Sequence, residues 1–460
     1  MHSTFTIREK ILLGTIAGYL LLNQGFVQLR IPPVGKGVPI GELVLVFAFV
    51  SLNVFKIAGR LNRVLWLLPL LLWWIYGICR SLLGMPEYGM WALRDASQVI
   101  DSLFLVLGFT LALNPAKLDR LFHFFCGIMF VGAVYGLSFP AGKFLVNYSP
   151  HIMAAGGYSI PIFFSYINSG TLEITAAVML MLVKTPYAKG SVRYAWIALF
   201  LGAAIGLGQS RTVYAQVILV LFLFLLFQRK TFVKWSAGIA VALLLILLVS
   251  ASGTGMRGRL GKVSLDFASK HFQSVSGSSE DQALSGSAGG IALRLGWWKK
   301  IGRELSQTPE NLMFGLGYGM PLVNYTLGGG VVVREPHNSF ISVLARLGVL
   351  GAFCWISMQF TLFWTWWSGF RLARRHGWTV DAMRLLVMMI FCSIILVGIV
   401  GEDMLEKPFN AAPYYFIWGV IIAYVSHVRV MAARGPARDK GQAPPAAQFE
   451  QIGAGRGILT

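Results

Sequence analysis

Residues 233–251 read VKWSAGIAVALLLILLVSA, a run that contains one charged side chain, Lys234, and no proline. A helix that crosses a bilayer needs roughly 20 predominantly apolar residues, because each residue advances the helix by about 1.5 Å through a hydrocarbon core about 30 Å thick. This stretch meets that requirement on its own. It predicts a membrane-spanning helix, and similar runs recur along the chain.

The composition agrees with many such helices. Hydrophobic residues make up 56% of the 460-residue chain and charged residues only 13%, whereas soluble domains average about 25% charged residues. We predict an all-α polytopic membrane protein with about 12 transmembrane helices. The predicted spans are 11–26, 40–55, 64–79, 97–113, 121–139, 171–183, 194–207, 213–227, 233–251, 349–370, 385–400 and 413–428.

Lys and Arg in the short loops predict the orientation of the spans, because they are enriched in cytoplasmic loops. If the N-terminus is cytoplasmic, every short loop on the inner side is basic, and 371–384 alone carries four arginines. Both termini are therefore predicted to be cytoplasmic. The resulting divisions are helices 1–9 in 1–251, a large outer loop at 252–336, helices 10–12 in 337–430 and a disordered cytoplasmic tail at 431–460.

The large outer loop has its own pattern. Its middle, 274–290, is rich in Ser and Gly and is expected to be mobile. Residues 291–305 alternate apolar and basic side chains at helical spacing, and Arg294 begins this segment. We predict an amphipathic helix at the membrane surface, with the indoles of Trp297 and Trp298 at the depth of the headgroups. Three glycines, Gly315, Gly317 and Gly319, predict a tight turn.

Several other functions have little support. The net charge of +20 does not indicate nucleic-acid binding, because the basic residues lie between apolar runs. All four cysteines fall inside apolar segments, so no disulfide framework and no Cys-ligated metal site are expected. No HExxH, Walker or GxGxxG motif is present in a suitable context. We therefore predict no cofactor and no metal.

The sequence Arg334-Glu335-Pro336-His337-Asn338-Ser339 stands where the outer loop enters the next apolar segment. Asn338 or Ser339 can cap the helix that follows, and a helix N-terminus favours anions. His337 is therefore a candidate catalytic residue, although it could equally be a histidine that only caps a helix. The helix from Ser339 either projects outward or is broken at Gly348 and Gly351, since a continuous helix would exceed the hydrocarbon core.

Two arginines are candidates for the same site. Arg211 lies at the outer end of the eighth predicted span, and Arg294 lies in the outer loop. Guanidinium groups bind phosphate in a planar, bidentate manner that ammonium groups cannot copy. Each arginine could instead contact lipid headgroups. Three acids between the last two spans, Glu402, Asp403 and Glu406, are expected to form a solvated loop, although one of them could orient His337.

The segment from His337 resembles the His-[Asn/Ser/Gln]-x9-Gly-x-x-Gly motif of bacterial O-antigen ligases, with Asn338, Gly348 and Gly351 at the corresponding positions. Ser210-Arg211-Thr212 at an outer helix end, and Arg294 with Trp298 in the outer loop, are also similar to that family. The resemblance covers about residues 5–430. It implies a fold like that of C-type glycosyltransferases, an inner-membrane location and a periplasmic active site formed by His337, Arg211 and Arg294, with Asn338 contributing to substrate binding.

The resemblance also implies the substrates: undecaprenyl-pyrophosphate-linked O-antigen as donor and lipid A–core oligosaccharide as acceptor, without a metal. O-antigen or exopolysaccharide polymerases share the histidine motif and are the alternative. They often carry Arg-x10-Gly motifs in their periplasmic loops, and no Arg in 252–336 is followed by Gly at that spacing. A transporter of lipid-linked oligosaccharides is a further alternative, but it would need charges along several spans.

Overall fold

A computed structural model describes residues 5–31, 37–52, 54–153, 159–163, 170–256, 258, 262–264, 282–323, 325–326 and 332–434. The predicted mobility of 274–281 and the predicted disorder of 435–460 lie outside the described residues.

The described chain is dominated by helices. Seven are long and apolar enough to cross a membrane: Leu68–Tyr88, Pro115–Gly136, Gly190–Gly208, Arg229–Ala251, Ser339–Arg375, Thr379–Gly398 and Pro408–Ala433. Four apolar helical segments are shorter: Ile40–Ser51, Ser97–Ala112, Thr171–Leu182 and Arg211–Phe227. The remaining helices are Ile7–Leu22, Gln24–Val27, Val54–Leu61, Met90–Asp95, Gly142–Val146, Gln282–Leu305 and Pro309–Phe314, with a 3-10 turn at Phe139–Ala141. The chain is a multi-pass helical membrane protein, and the count of twelve spans stays a prediction.

Among the described residues, three antiparallel sheets of two short strands each interrupt the helical pattern. They pair Arg30–Ile31 with Val38–Pro39, His151–Met153 with Ser159–Pro161, and Tyr325–Thr326 with Val332–Val333. The apolar runs of the sequence predict helices alone, because strands of two or three residues are too short to show a period of two.

The helix Pro408–Ala433 forms the centre of the bundle, and residues 409–425 are all buried. It packs closely against Phe104–Ala112, where two glycines allow the backbones to approach. A Cβ atom on Gly419 would lie 2.0 Å from the Leu105 carbonyl oxygen, and one on Gly108 would lie 2.0 Å from the Phe416 carbonyl oxygen. Small residues commonly allow such contacts between membrane helices, where packing drives association.

The outer helices present apolar side chains outward. On Arg229–Ala251, for example, Leu244 and Leu248 are 53% and 57% exposed. A continuous apolar exterior of this kind would cause a soluble protein to associate, whereas lipid chains accommodate it. This exterior agrees with the membrane location that the apolar runs predict.

The helix Ser339–Arg375 is broken at Gly348, whose φ of 66° and ψ of −167° are not helical. The break confirms the second of the two predicted arrangements. It leaves carbonyl groups without helical partners, and the glycine turn at 315–319 supplies new ones. The amides of Leu316 and Gly317 donate to the carbonyl oxygens of Ala345 and Arg346 at 2.7 and 3.0 Å.

The same turn fits against Gly348 because no side chain intervenes. A Cβ atom on Gly348 would lie 2.6 Å from the Gly315 amide nitrogen, so any other residue would push the turn away. Gly315, Gly317 and Gly319 all have positive φ angles, which confirms the predicted tight turn.

The amphipathic helix of the outer loop begins earlier than predicted. It runs from Gln282 to Leu305, so Arg294 lies in its middle and does not begin it. Residues 282–290, which belong to the segment predicted to be mobile, are therefore helical. Alanine and leucine favour helix, and Ala283, Leu284 and Ala288 provide them among the glycines and serines.

Candidate functional site

His337 has a backbone φ of 53°, in the left-handed region that side chains other than glycine rarely occupy. Such a conformation persists only where the surroundings hold it in place, and it is frequent at functional sites. The next residue, Asn338, caps the helix that follows, because its side-chain oxygen accepts a hydrogen bond from the Ile341 amide at 3.0 Å. The predicted cap is confirmed, and His337 lies one residue before it.

The surroundings that hold His337 are the residues 399–407, which we call the acidic turn. Asn338 Nδ2 donates to the Val400 carbonyl oxygen at 2.9 Å, and the Ser339 amide donates to the Ile399 carbonyl oxygen at 3.1 Å. Ser339 Oγ donates to Glu406 Oε2 at 2.5 Å. These contacts fix the start of one helix against the loop between the last two helices.

His337 itself also contacts the acidic turn, because its Nδ1 lies 2.9 Å from Asp403 Oδ1. The side chains of His337 and Asp403 are 28% and 13% exposed. Burial alone would raise the pKa of Asp403, but the Lys407 ammonium and the His337 hydrogen bond outweigh it and hold that pKa well below its ordinary range. An ionised Asp403 favours the imidazole tautomer with its proton on Nδ1, which leaves the Nε2 lone pair available as a base.

The predicted solvated acidic loop is therefore wrong, and the alternative that one of its acids orients His337 is the one that the geometry matches. Asp403 is partly buried and holds both His337 and Lys407, whose Nζ lies 3.0 Å from Asp403 Oδ1. Residues 337 and 403 are far apart in sequence, so no spacing within one element could reveal this pair.

Arg294 and Arg211 lie near the acidic turn. Arg294 Nη1 donates to the Gly401 carbonyl oxygen at 2.6 Å. Arg211 is the first residue of its helix and is close enough to Arg294 for the two positive charges to repel each other. Three of the predicted site residues, His337, Arg294 and Arg211, therefore border one turn, although they come from three separate parts of the chain.

Two positive charges held near each other favour binding of an anion between them. A phosphate group accepts hydrogen bonds from guanidinium groups in the bidentate geometry that arginine provides. The arrangement can therefore bind phosphate beside an imidazole base.

The fourth predicted site residue, Asn338, has both ends of its amide in structural hydrogen bonds, and the residue is 7% exposed. Its predicted role in substrate binding stays a prediction, and its contacts assign it to positioning His337.

The two tryptophans of the amphipathic helix contact the same region. Trp298 Nε1 donates to the Pro336 carbonyl oxygen at 3.0 Å, and the Trp297 ring lies 6.1 Å from the His337 ring. Both indoles are predicted from the sequence to lie at the depth of the lipid headgroups. Their depth in a membrane stays a prediction, and their contacts place the amphipathic helix against the residues around His337.

A cluster of buried charged side chains adjoins the residues just before His337. Asp95 Oδ2 lies 2.9 Å from Arg334 Nη2 and 3.1 Å from Arg346 Nη2, and Arg346 also holds Glu335 at 2.6 Å. The side chains of Asp95 and Arg346 are only 4% and 3% exposed. Removing one partner of a buried charge network typically costs about 3–5 kcal/mol.

This cluster was missed by the sequence analysis. A signal existed, because Arg346 interrupts an apolar segment, and an intramembrane charge needs a partner. The partner, Asp95, could not be identified from spacing.

One group of three residues in the described part of the chain could offer ligands to a metal ion: His337, Glu402 and Asp403, whose ligand atoms lie within 4.8 Å of one another. Lys407 Nζ already lies 3.0 Å from Asp403 Oδ1 and 3.5 Å from Glu402 Oε2. The ammonium group supplies the positive charge that a divalent ion would bring. A metal would also have to displace the proton on His337 Nδ1, so these residues fit a lysine-neutralised pair better than a metal.

The stability of the protein is predicted to depend on pH through Glu406. Burial, followed by the charges of Glu335 and Asp403, raises the pKa of Glu406 to about 8. The folded protein therefore favours the protonated form, and the resulting contribution to stability is lost as the pH rises through about 8. Thermal unfolding measured from pH 6 to pH 9 should show this loss in the wild type, and Glu406→Gln should remove it because glutamine stays neutral.

The control is Glu402→Gln, which removes a carboxylate from the same turn and should retain the wild-type slope. Asp403 does not interfere in this range, because a lowered carboxylate pKa affects stability only at acidic pH. An unchanged pH slope in Glu406→Gln would show that Glu406 is ionised at neutral pH.

Comparison with protein families supplies the context for this geometry. Residues 196–356 match the family described as O-Antigen ligase. The match includes Arg211, Arg294 and His337, and it ends before the acidic turn. Comparison with curated proteins gives no match. Residues 196–356, about a third of the chain, are therefore similar to the O-antigen ligase family.

Proposed function

We propose that the protein is an O-antigen ligase that transfers polysaccharide from undecaprenyl pyrophosphate to the lipid A–core oligosaccharide of lipopolysaccharide. The observation that carries the proposal is the hydrogen bond between His337 Nδ1 and Asp403 Oδ1 at 2.9 Å, beside Arg294 and Arg211. An oriented imidazole next to paired guanidinium groups suits a reaction that deprotonates a hydroxyl while a pyrophosphate departs. The family match supports lipid-linked O-antigen and lipid A–core as the general substrate classes.

The chemistry needs one base and one electrostatic stabiliser. His337 Nε2 accepts the proton of the acceptor hydroxyl, whose oxygen bonds to the anomeric carbon of the donor glycan. The bond from that carbon to the pyrophosphate oxygen breaks, and undecaprenyl pyrophosphate leaves with the electron pair. Arg211 and Arg294 stabilise the charge that develops on the phosphates. Direct displacement inverts the anomeric configuration, and no step requires a metal, so EDTA should leave the rate unchanged.

The substrates define where this site must lie. Both are lipid-anchored, so their reacting groups meet at a membrane surface, and the positive-inside pattern favours the periplasmic face of the inner membrane. Single cysteines introduced in place of Gln307 and His376, in a chain without its native cysteines, test this orientation. An impermeant thiol reagent added to cells with permeabilised outer membranes should label Gln307→Cys and not His376→Cys. The reverse pattern would refute the orientation.

A deletion strain distinguishes the ligase from its alternatives. Loss of a ligase should remove long-chain lipopolysaccharide while lipid-linked polymer accumulates. Lipopolysaccharide that carries single repeats would instead identify a polymerase. Glycan transfer by the purified protein in detergent would exclude a transporter, because transport requires two compartments.

His337→Ala should abolish transfer while the protein still inserts and binds its donor. General-base catalysis is worth typically about 10²–10⁴-fold, so only trace activity is expected. His337→Gln retains a hydrogen-bonding group but cannot accept a proton, and it should be equally inactive. Initial transfer rates and donor affinity of the purified variants provide the measurement.

His151→Gln is the matched control, because His151 is an exposed histidine on a hairpin. It should transfer at the wild-type rate. A fully active His337→Gln would mean that His337 only positions the substrate.

Arg211→Lys and Arg294→Lys should each lower the transfer rate strongly, because an ammonium group cannot reproduce the planar bidentate contact with phosphate. Losing one hydrogen-bond donor to a developing anion typically costs about 10²–10³-fold. Arg303→Lys, an exposed position on the same helix as Arg294, serves as the control. Wild-type rates in both site variants would indicate that the two arginines contact only lipid headgroups.

A further inference from the structure

A second basic site lies at the end of Ser339–Arg375 farthest from His337. The segment after Gly348 is about 40 Å long if straight, so this end is a full membrane thickness from the acidic turn. A cavity of about 560 Å³ opens there against the end of Arg211–Phe227. Its lining includes three arginines, Arg371, Arg374 and Arg375, and three aromatic residues, Phe227, Trp367 and Phe370.

The charges in this cavity are not neutralised by acids, since no carboxylate is among the residues that line it. Arg374 Nη1 donates to the Phe227 carbonyl oxygen at 3.3 Å and its guanidinium lies 5.8 Å from the Phe370 ring. Arg371 lies 5.7 Å from the Trp367 ring. Within the described residues, neither Arg371 nor Arg375 has a hydrogen-bonded or ion-paired side-chain partner.

Positive charge at this end of the bundle is expected from the positive-inside pattern alone. Other basic residues there, however, are neutralised by the protein itself. Arg384 pairs with Asp119 at 2.5 Å, and Lys117 pairs with Glu9 at 2.7 Å. The unneutralised guanidinium groups of the cavity are therefore suited to bind an external anion.

An apolar path leads from the cavity along the same helix. Phe360 and Trp364 stack with centroids 6.1 Å apart and are 63% and 57% exposed. Their positions share one helix face with Trp367 and Arg371, because residues three or four apart lie on the same side. On the neighbouring helix, Phe222 and Leu226 are also exposed, at 53% and 55%.

We propose that this cavity binds an anionic phospholipid of the adjacent leaflet, with its phosphate on Arg371 and Arg375 and its acyl chains along Phe360 and Trp364. Guanidinium groups bind phosphate oxygens strongly, and basic pockets between membrane helices bind anionic headgroups. The stripe of exposed aromatic residues, continuous with the arginines, matches a ligand with a charged head and long apolar chains. The site is independent of the proposed glycan transfer.

The test uses the full-length protein purified in detergent, with phosphatidylglycerol as probe and phosphatidylethanolamine as the zwitterionic comparison. Affinity is measured by native mass spectrometry and by the lipid-dependent rise in unfolding temperature. Phosphatidylglycerol should bind at least about tenfold more tightly than phosphatidylethanolamine to the wild type. The double variant Arg371→Gln/Arg375→Gln, which leaves the Arg374 hydrogen bond intact, should lose this preference.

Two further variants make the result specific. Arg60→Gln/Arg63→Gln removes two exposed arginines from another loop predicted on the same side, and it should retain the preference. Phe360→Ala/Trp364→Ala keeps the arginines but should weaken phosphatidylglycerol binding.

Three outcomes would overturn the proposal. An equal loss of lipid preference in the Arg60→Gln/Arg63→Gln control would mean that binding depends on overall positive charge and not on this cavity. Stabilisation by inorganic phosphate equal to that by phosphatidylglycerol would identify a site for free anions. An unchanged lipid preference in Arg371→Gln/Arg375→Gln would show that the lipid does not bind in this cavity.

Discussion

The whole candidate site depends on how three consecutive residues attach to the acidic turn. His337, Asn338 and Ser339 each make a hydrogen bond to residues between 399 and 406, through the imidazole, the side-chain amide, and the backbone amide and hydroxyl. Together they fix where the Ser339–Arg375 helix begins and how the last two helices connect. The positive φ of His337 follows from this attachment, since the surrounding hydrogen bonds determine a conformation that the isolated residue would avoid.

The helix break at Gly348 and the buried charges of Asp95 and Arg346 make this attachment rigid. The break turns the first helical piece into a separate element whose free carbonyl groups are taken up by the glycine turn at 315–319. Arg346, on that piece, binds Glu335 just before the histidine and Asp95 from another helix. A base works best when its partner and its substrate are held in place beforehand, and rigid supporting contacts of this kind provide such preorganisation.

Patterns of neighbouring residues in the sequence predict local structure, such as helices, helix caps and turns. Apolar runs predict the helices, Asn338 predicts a cap, Gly348 predicts the helix break, and three glycines predict the turn at 315–319. The charge pairs could not be predicted, because Asp403 meets His337, and Asp95 meets Arg346, only through the packing of distant helices. The observed helix ends also differ from the predicted ends where a polar side chain bonds to a distant part of the chain. Leu68–Tyr88, for example, continues past Arg80, whose guanidinium donates to the Gly315 carbonyl oxygen at 2.9 Å.

We propose that His337 and Asp403 act as one unit, in which the carboxylate orients the imidazole that accepts the proton. A double-mutant cycle tests it most directly, with initial glycan-transfer rates measured for the wild type, His337→Gln, Asp403→Asn and the combined variant. Residues that act as a unit show strongly non-additive losses. If the two residues act as a unit, Asp403→Asn should slow transfer by the wild type but cause no further loss once His337 is glutamine. Losses that multiply across the two positions would contradict it, because Asp403 would then act without His337.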